Sequence, residues 1–219
     1  MSRALQLWYR LFDMVSSAAG LVILTPVLIA IAVLILWNDG PPVLFAQRRV
    51  GKQGKPFRIW KFRTMLHDVP GSLITAAGDS RVTRFGAMLR RHKLDELPQL
   101  YNVLRGDMSL VGPRPELPEF VQLETTIWQA VLQVRPGVTD MATLLFRDEE
   151  SLLRGSSDPA TLYRESVLPA KLVLNLAYLR SRSFWRDLKL IYLTVHYSLF
   201  PRRFNPNLIK HAAGTGVSK

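Results

Sequence analysis

Two adjacent carboxylates, Asp95 and Glu96, stand in a strongly basic neighbourhood, with Arg90, Arg91, His92 and Lys93 just before them and Arg105 shortly after. Two roles fit such a pair. Asp95 can cap a helix with Glu96 in its first turn, where carboxylates offset the positive end of the helix dipole. On spacing alone this is the simpler account. The surroundings suit a second role, in which a carboxylate held among cations and free helix N–H groups attacks phosphorus. A divalent ion would then screen anion from anion. Mg²⁺ is the expected ion, because it prefers oxygen ligands and commonly joins one or two carboxylates to substrate phosphates. His67, His92, His196 and His211 are scattered without zinc-ligand spacing. With no cysteine, thiolate metal sites and disulfides are excluded.

The charge balance supports an anionic partner. The chain has 219 residues, with 29 Lys and Arg against 17 Asp and Glu, a formal net charge of +12. Nucleic acid, an acidic membrane surface and a phosphorylated substrate all fit that excess. No helix-turn-helix, zinc or base-stacking motif accompanies it, so a nucleic-acid partner is not expected.

The elements that would position the pair begin with a membrane segment. Leu21 to Trp37 is uncharged throughout, and Val15 to Gly20 extends it with small and polar residues. As a helix the first run covers roughly 26 Å, just short of a ~30 Å hydrocarbon core. Pro26 lies deep inside it and has no N–H to donate to Val22, so a helix must bend there. Thr25 supplies a hydroxyl for a freed backbone group. Cations flank both ends, Arg3 and Arg10 before and Arg48 through Arg63 after, and a single crossing would strand two arginines on the far side. The expectation is a re-entrant helix broken at Thr25–Pro26 that returns to the face it entered. A buried core helix and a cleaved signal peptide fit less well, since the run is long for a core and Asn38–Pro42 offers no small-residue cleavage site.

Asn38–Pro42 is a breaker and marks a boundary. Three regions are expected: a membrane helix at 1–40, a catalytic domain at 41–200 and a basic tail at 201–219, mobile after Pro201. The fold class expected is α/β but mostly helical, with a short β-hairpin and interfacial amphipathic helices. Val43–Ala46 and Phe57–Phe62 read as the hairpin strands, around Gly51–Lys55. His67–Ser80 reads as loop. Thr83 caps a helix with Phe85, Met88 and Leu89 on one face. A second helix is expected from Asp95, with Leu97, Leu100, Tyr101 and Leu104 on one face and an end at Arg105–Gly106. Glu116–Gln133 reads as helical and Arg135–Gly137 as a break. Further helices are expected from Asp158 or Thr161 and over Ser183–Leu199. In the last, Phe184, Trp185, Tyr192, Arg186 and Lys189 suit a membrane interface or an ordinary amphipathic surface.

Long stretches of this text resemble a known family. They are Gln47-Arg48-Arg49-Val50-Gly51-Lys52, Gly54-Lys55-Pro56-Phe57, Lys61-Phe62-Arg63-Thr64-Met65, Arg81-Val82-Thr83-Arg84-Phe85-Gly86 and Leu94-Asp95-Glu96-Leu97-Pro98-Gln99-Leu100, followed by the run Asn102 to Glu116. The chain resembles the bacterial sugar transferases, the monotopic polyprenyl-phosphate phosphoglycosyl transferases in their compact catalytic form, from about Leu5 to Thr194. The resemblance implies transfer of a phospho-sugar from a nucleotide sugar, expected to be UDP-linked, to polyprenyl phosphate at the cytoplasmic face of the bacterial inner membrane. It implies Asp95 as nucleophile and Mg²⁺ ligand, Glu96 as its dyad partner, Arg90 and Arg114 near substrate phosphates, and Lys61 and Arg63 lining the site. The family's re-entrant helix breaks at a Ser–Pro pair, here Thr25–Pro26. Asp140 departs from the pattern, standing where a glycine is usual. A rival reading is a non-catalytic membrane scaffold of a polysaccharide assembly system. The sugar, the pathway it serves (exopolysaccharide or lipopolysaccharide) and whether a homodimer forms are left open.

Overall fold

Uncharged residues fill the chain from Met14 to Trp37, and they form part of a single helix, α1 (Arg3–Asp39), in the computed structural model, which describes residues 3–66 and 69–213. At 1.5 Å per residue α1 is about 55 Å long. Its most apolar stretch has a mean hydropathy of 2.9 with only 11% of that stretch buried. That exposure excludes a core helix. Trp8, Val22, Ile23 and Trp37 project from it uncovered, an apolar surface of the kind that meets a membrane or another protein.

The break expected at Thr25–Pro26 is not a gap, because α1 runs through both residues. Proline removes one N–H from the ladder. The Thr25 hydroxyl does not take up the freed Val22 carbonyl; it donates to Leu21 O at 2.7 Å, a back-bond that tends to bend helices.

The covered face of α1 is docked along its length. Arg10 donates to Val103 O at 2.7 Å and Leu104 O at 2.9 Å, a cation on the carbonyl end of another helix. Asp13 accepts from Ser109 Oγ at 2.7 Å and Leu110 N at 3.1 Å. Farther along, Ile31 and Ile35 pack with Phe62 and Leu89. At the end, Asp39 Oδ2 accepts from Thr83 Oγ1 at 2.9 Å.

The hairpin pairs β1 (Leu44–Val50) with β2 (Pro56–Phe62), Leu44 opposite Phe62 and Val50 opposite Pro56. It is longer than the expected strands because polar Gln47–Arg49 continue β1. Thr83 caps α2 (Arg84–Arg91) as expected, accepting from Gly86 N at 2.8 Å. On α2 Leu89 is buried, whereas Met88 is exposed.

The dyad does not open a helix. Asp95 and Glu96 lie in a separate 3₁₀ turn, Leu94–Glu96, and α3 spans Gln99–Arg105 after Pro98. Its buried face also differs from the expected one, being Gln99, Asn102 and Val103 with Tyr101 half exposed. The cause is a polar seam: Trp60 N donates to Asn102 Oδ1 at 3.0 Å, and Asn102 Nδ2 donates to Arg58 O at 2.8 Å. One side chain thus pairs β2 where a further strand would otherwise stand.

A second, parallel pair joins β3 (Ser109–Val111) to β4 (Gly137–Thr139). Arg135–Gly137, expected only as a break, leads into this strand. A Cβ on Gly137 would lie 2.1 Å from Gly112 N, so only glycine admits this crossing. Glu116–Gln133 is not one helix. Pro118 starts a 3₁₀ turn, Pro118–Phe120, and only α4 (Thr126–Val131) is helical beyond it.

The remaining helices are α5 (Met141–Leu145), α6 (Glu149–Leu152), α7 (Pro159–Leu162), α8 (Leu168–Arg180), α9 (Phe184–Leu199) and α10 (Pro206–Ala213). Asp158 caps α7, and Ser183 caps α9. A π-turn, Tyr163–Val167, joins α7 to α8. One core holds Met141, Tyr178, Leu190, Tyr197 and Ile209. Ile209 is fully buried and Phe204 packs on Tyr197, so the expected mobile tail is folded into the core through α10. Residues 214–219 of that tail, and His67 and Asp68 of the expected loop, lie outside the described residues. Phe184 meets Trp8, Tyr9 and Phe12, tying α9 to α1.

Candidate active site

Lys93 adopts a left-handed conformation (φ 54°) that ends α2 and turns the chain into the 3₁₀ turn bearing the dyad. Left-handed backbone is unusual for a lysine and recurs at functional sites. The turn buries both carboxylates in the wall of a cavity of about 880 Å³, a size that suits a small-molecule ligand.

The two carboxylates have opposite surroundings. Glu96 Oε2 accepts from Arg114 Nη1 at 3.1 Å, Arg114 Nη2 closes the fork on Oε1, and Lys61 Nζ lies 3.2 Å from Oε1. This bidentate geometry favours arginine. Burial by itself would raise the Glu96 carboxyl, but Arg114, Lys61 and Lys93 outweigh it and hold it well below the usual range. Asp95 is pushed the other way, first by burial and then by the Glu96 charge. Its Oδ1 is buried and has no hydrogen-bond partner among the described residues. A capping aspartate would spend that oxygen on a backbone N–H, so the geometry disfavours the simple cap. Neighbouring groups whose proton affinities are driven apart mark a division of labour.

The other expected residues fall into two groups. Lys61, on β2, is at the dyad, and burial lowers its ammonium to about 8 against the pull of Glu96. Arg90, at the end of α2, lines the same cavity but its Nη2 is 2.7 Å from Glu150, while Nη1 is buried and unpaired among the described residues. Arg63 stands apart. Its guanidinium donates to Asp39 O and Pro41 O, both at 2.7 Å, and to Gly40 O. It secures the end of α1 and is not among the residues lining the cavity. Thr25 and Pro26 belong to α1 and do not line it.

The cavity wall also holds residues with no local signal. Tyr163, in the π-turn, donates to Glu116 Oε1 at 2.7 Å, and burial raises its hydroxyl. Lys171 pairs with Glu149, and Arg49 donates to Pro115 O at 3.3 Å with its Nε left buried and unpaired among the described residues. Arg49 and Glu116 sit inside the quoted motifs of the family resemblance; Lys171 and Glu149 lie outside those motifs.

The donor set suits a hard ion shared with substrate. Among the described residues no group of three or more His, Asp or Glu could hold a metal. One free buried carboxylate oxygen is nevertheless what Mg²⁺ uses when substrate phosphates and water complete its shell.

Comparison with known proteins places the chain among relatives. Residues 4–201 match the bacterial sugar transferase family. The chain is 37% identical to an undecaprenyl-phosphate glucose phosphotransferase of Komagataeibacter xylinus, over 88% of this chain and 36% of that protein. It is 39% identical to a UDP-glucose:undecaprenyl-phosphate glucose-1-phosphate transferase of Caulobacter vibrioides, over 88% of this chain and 70% of the relative. Similarity to the exopolysaccharide production protein PSS of Rhizobium leguminosarum bv. phaseoli is 37%, over 85% and 92%. The chain therefore spans little more than a third of the first relative and most of the other two.

Proposed function

The chain belongs to the bacterial sugar transferase family, and from that premise we propose that it transfers a sugar 1-phosphate from a UDP-linked sugar to undecaprenyl phosphate through a covalent intermediate on Asp95. The observation that carries this reading is the buried Asp95 Oδ1, unpartnered among the described residues, beside a Glu96 whose charge Arg114 and Lys61 already neutralise. The relatives' names supply the substrate class.

The Asp95 carboxylate attacks the phosphorus that bears the sugar. The P–O bond to the second phosphate breaks, and uridine monophosphate leaves with the electron pair. An oxygen of polyprenyl phosphate then attacks the same phosphorus, Asp95 departs as a carboxylate, and a polyprenyl-diphosphate sugar is released. Arg114 and Lys61 hold Glu96 off Asp95. Arg90, released from Glu150, is placed to meet a phosphate by its free Nη1. Mg²⁺ bound by Asp95 and substrate phosphates would screen the repulsion between the reacting anions.

Membrane association follows from the exposed apolar length of α1. A re-entrant placement is supported by the docking of α1 at both ends: Arg10 and Asp13 near its start, Asp39 at its end, all to one domain. The cations flanking α1 favour the cytoplasmic face of the inner membrane for that domain. This reaction would be a first membrane step toward a polysaccharide or glycoconjugate.

The test is nucleoside monophosphate release from a panel of UDP-sugars with undecaprenyl phosphate and Mg²⁺. Wild type should turn over at least one donor, and Asp95→Asn should lose on the order of 10³-fold or more. Silence of the wild type across the panel favours a scaffold. Activity retained by Asp95→Asn removes the nucleophile assignment.

A further inference from the structure

Asp140 is fully buried at the end of β4, and both of its oxygens are committed to backbone amides. Oδ1 accepts from Thr143 N and so caps α5. Oδ2 accepts from Arg114 N at 2.7 Å. A cap needs one acceptor, and serine, threonine or asparagine supplies it. The second oxygen reaches instead to the one residue whose guanidinium forks onto Glu96.

The surrounding backbone makes that reach possible. Gly112 N donates to Thr139 O and Gly137 N to Pro113 O, each at 3.0 Å, so the β3–β4 crossing brings the start of the Arg114 segment against the start of α5. A buried carboxylate is expensive to keep, and Asp140 forms no ion pair among the described residues; burial raises its proton affinity against the pull of the two amides. Such a group is retained more readily where it holds something in place than where it only ends a strand.

We propose that Asp140 is a positioning residue for phosphoryl transfer: it anchors the Arg114 amide, which sets the guanidinium on Glu96 and so fixes the wall against which Asp95 works. Its kinetic arm rests on the function proposed above. Its structural arm does not.

The variant that separates cap from anchor is Asp140→Ser, whose hydroxyl can still cap α5 but is too short to span to Arg114 N. Turnover should fall about 10–100-fold, the range expected when a reacting group is misplaced by about an ångström, with KM for the UDP-sugar little changed. In an Arg114→Ala background the same substitution should cause no further loss, because the two act as one unit. Hydrogen exchange should quicken in the peptide carrying Arg114 while the α5 peptide stays protected. Asp140→Asn, which keeps one of the two acceptor contacts, should fall between serine and wild type. Equal fold-losses in both backgrounds, or unchanged exchange at Arg114, would overturn the proposal. Failure of both variants to fold would assign Asp140 to the core and overturn it too. A wild type silent on every donor would remove the function, yet the exchange result would still decide whether Asp140 anchors Arg114.

Discussion

Asp95 and Glu96 share one turn of backbone but not one environment. Glu96 is clamped by Arg114 and Lys61, and Asp95 keeps a buried oxygen free. Lys61 makes this arrangement sensitive to pH. With its ammonium lowered to about 8 by burial, Glu96 loses a cationic partner as pH rises through that value, and turnover should decline there. Loss of the Lys61 charge does not itself drive unfolding there. The unfolded lysine titrates near 10.5, so between about 8 and 10.5 the unfolded chain binds more protons and stability rises with pH. Lys61→Arg keeps its charge and should move the alkaline limb up by more than one unit; a limb that stays near 8 would assign it to another group. At this scale the dyad stood out in local text, whereas Lys61 and Arg114 entered only through the family resemblance, Arg114 as a phosphate contact and not as the fork on Glu96. Arg63 was misplaced because its partners are backbone carbonyls at and just after the end of α1, which side-chain patterning does not reveal. Lys171 and Glu149 were invisible because a pair split between two separate helices, α8 and α6, leaves no periodic signal.

Among the elements, the β3–β4 crossing carries the site. It sets Arg114 and Asp140 side by side, and it exists because Gly112 and Gly137 allow backbone to touch backbone. Gly137→Ala should cost ~3 kcal/mol, which for a chain of this size lowers Tm by roughly 6–12 °C. An unchanged melting curve would show that the crossing yields at little cost. Asn102→Ala should remove both bonds to β2 and destabilise by about 1–3 kcal/mol, read as a lowered unfolding midpoint; a neutral result would mean that packing alone holds α3. Helices with a cap and an apolar stripe, α2 and α9, were readable from sequence. The parallel pair was not, since three-residue strands far apart in sequence show neither alternation nor a hairpin turn. The α3 face was misread because polar Gln99 and Asn102 face inward, against the usual binary pattern.

For the whole molecule, α1 is both anchor and frame. One face meets α3, β3, β2 and α2, and the other is left for lipid. An apolar N-terminal segment was plain in the sequence, but a visible break at Pro26 was not the outcome, because one missing hydrogen bond can be absorbed within a long helix. The native chain has no cysteine, so Ser2→Cys and Ser218→Cys each give a clean probe. Both should react alike with an impermeant thiol reagent in oriented membranes. Opposite labelling would make α1 a crossing helix. In the proposed chemistry the phosphorus rests on Asp95 between the two half-reactions. Incubation with a UDP-sugar labelled at the sugar-bearing phosphate, without undecaprenyl phosphate, followed by peptide mass spectrometry, tests it directly. Label is expected on the peptide containing Asp95, absent in Asp95→Asn and discharged when undecaprenyl phosphate is added. Turnover with no protein-bound label under single-turnover conditions, or label on another residue, would contradict it.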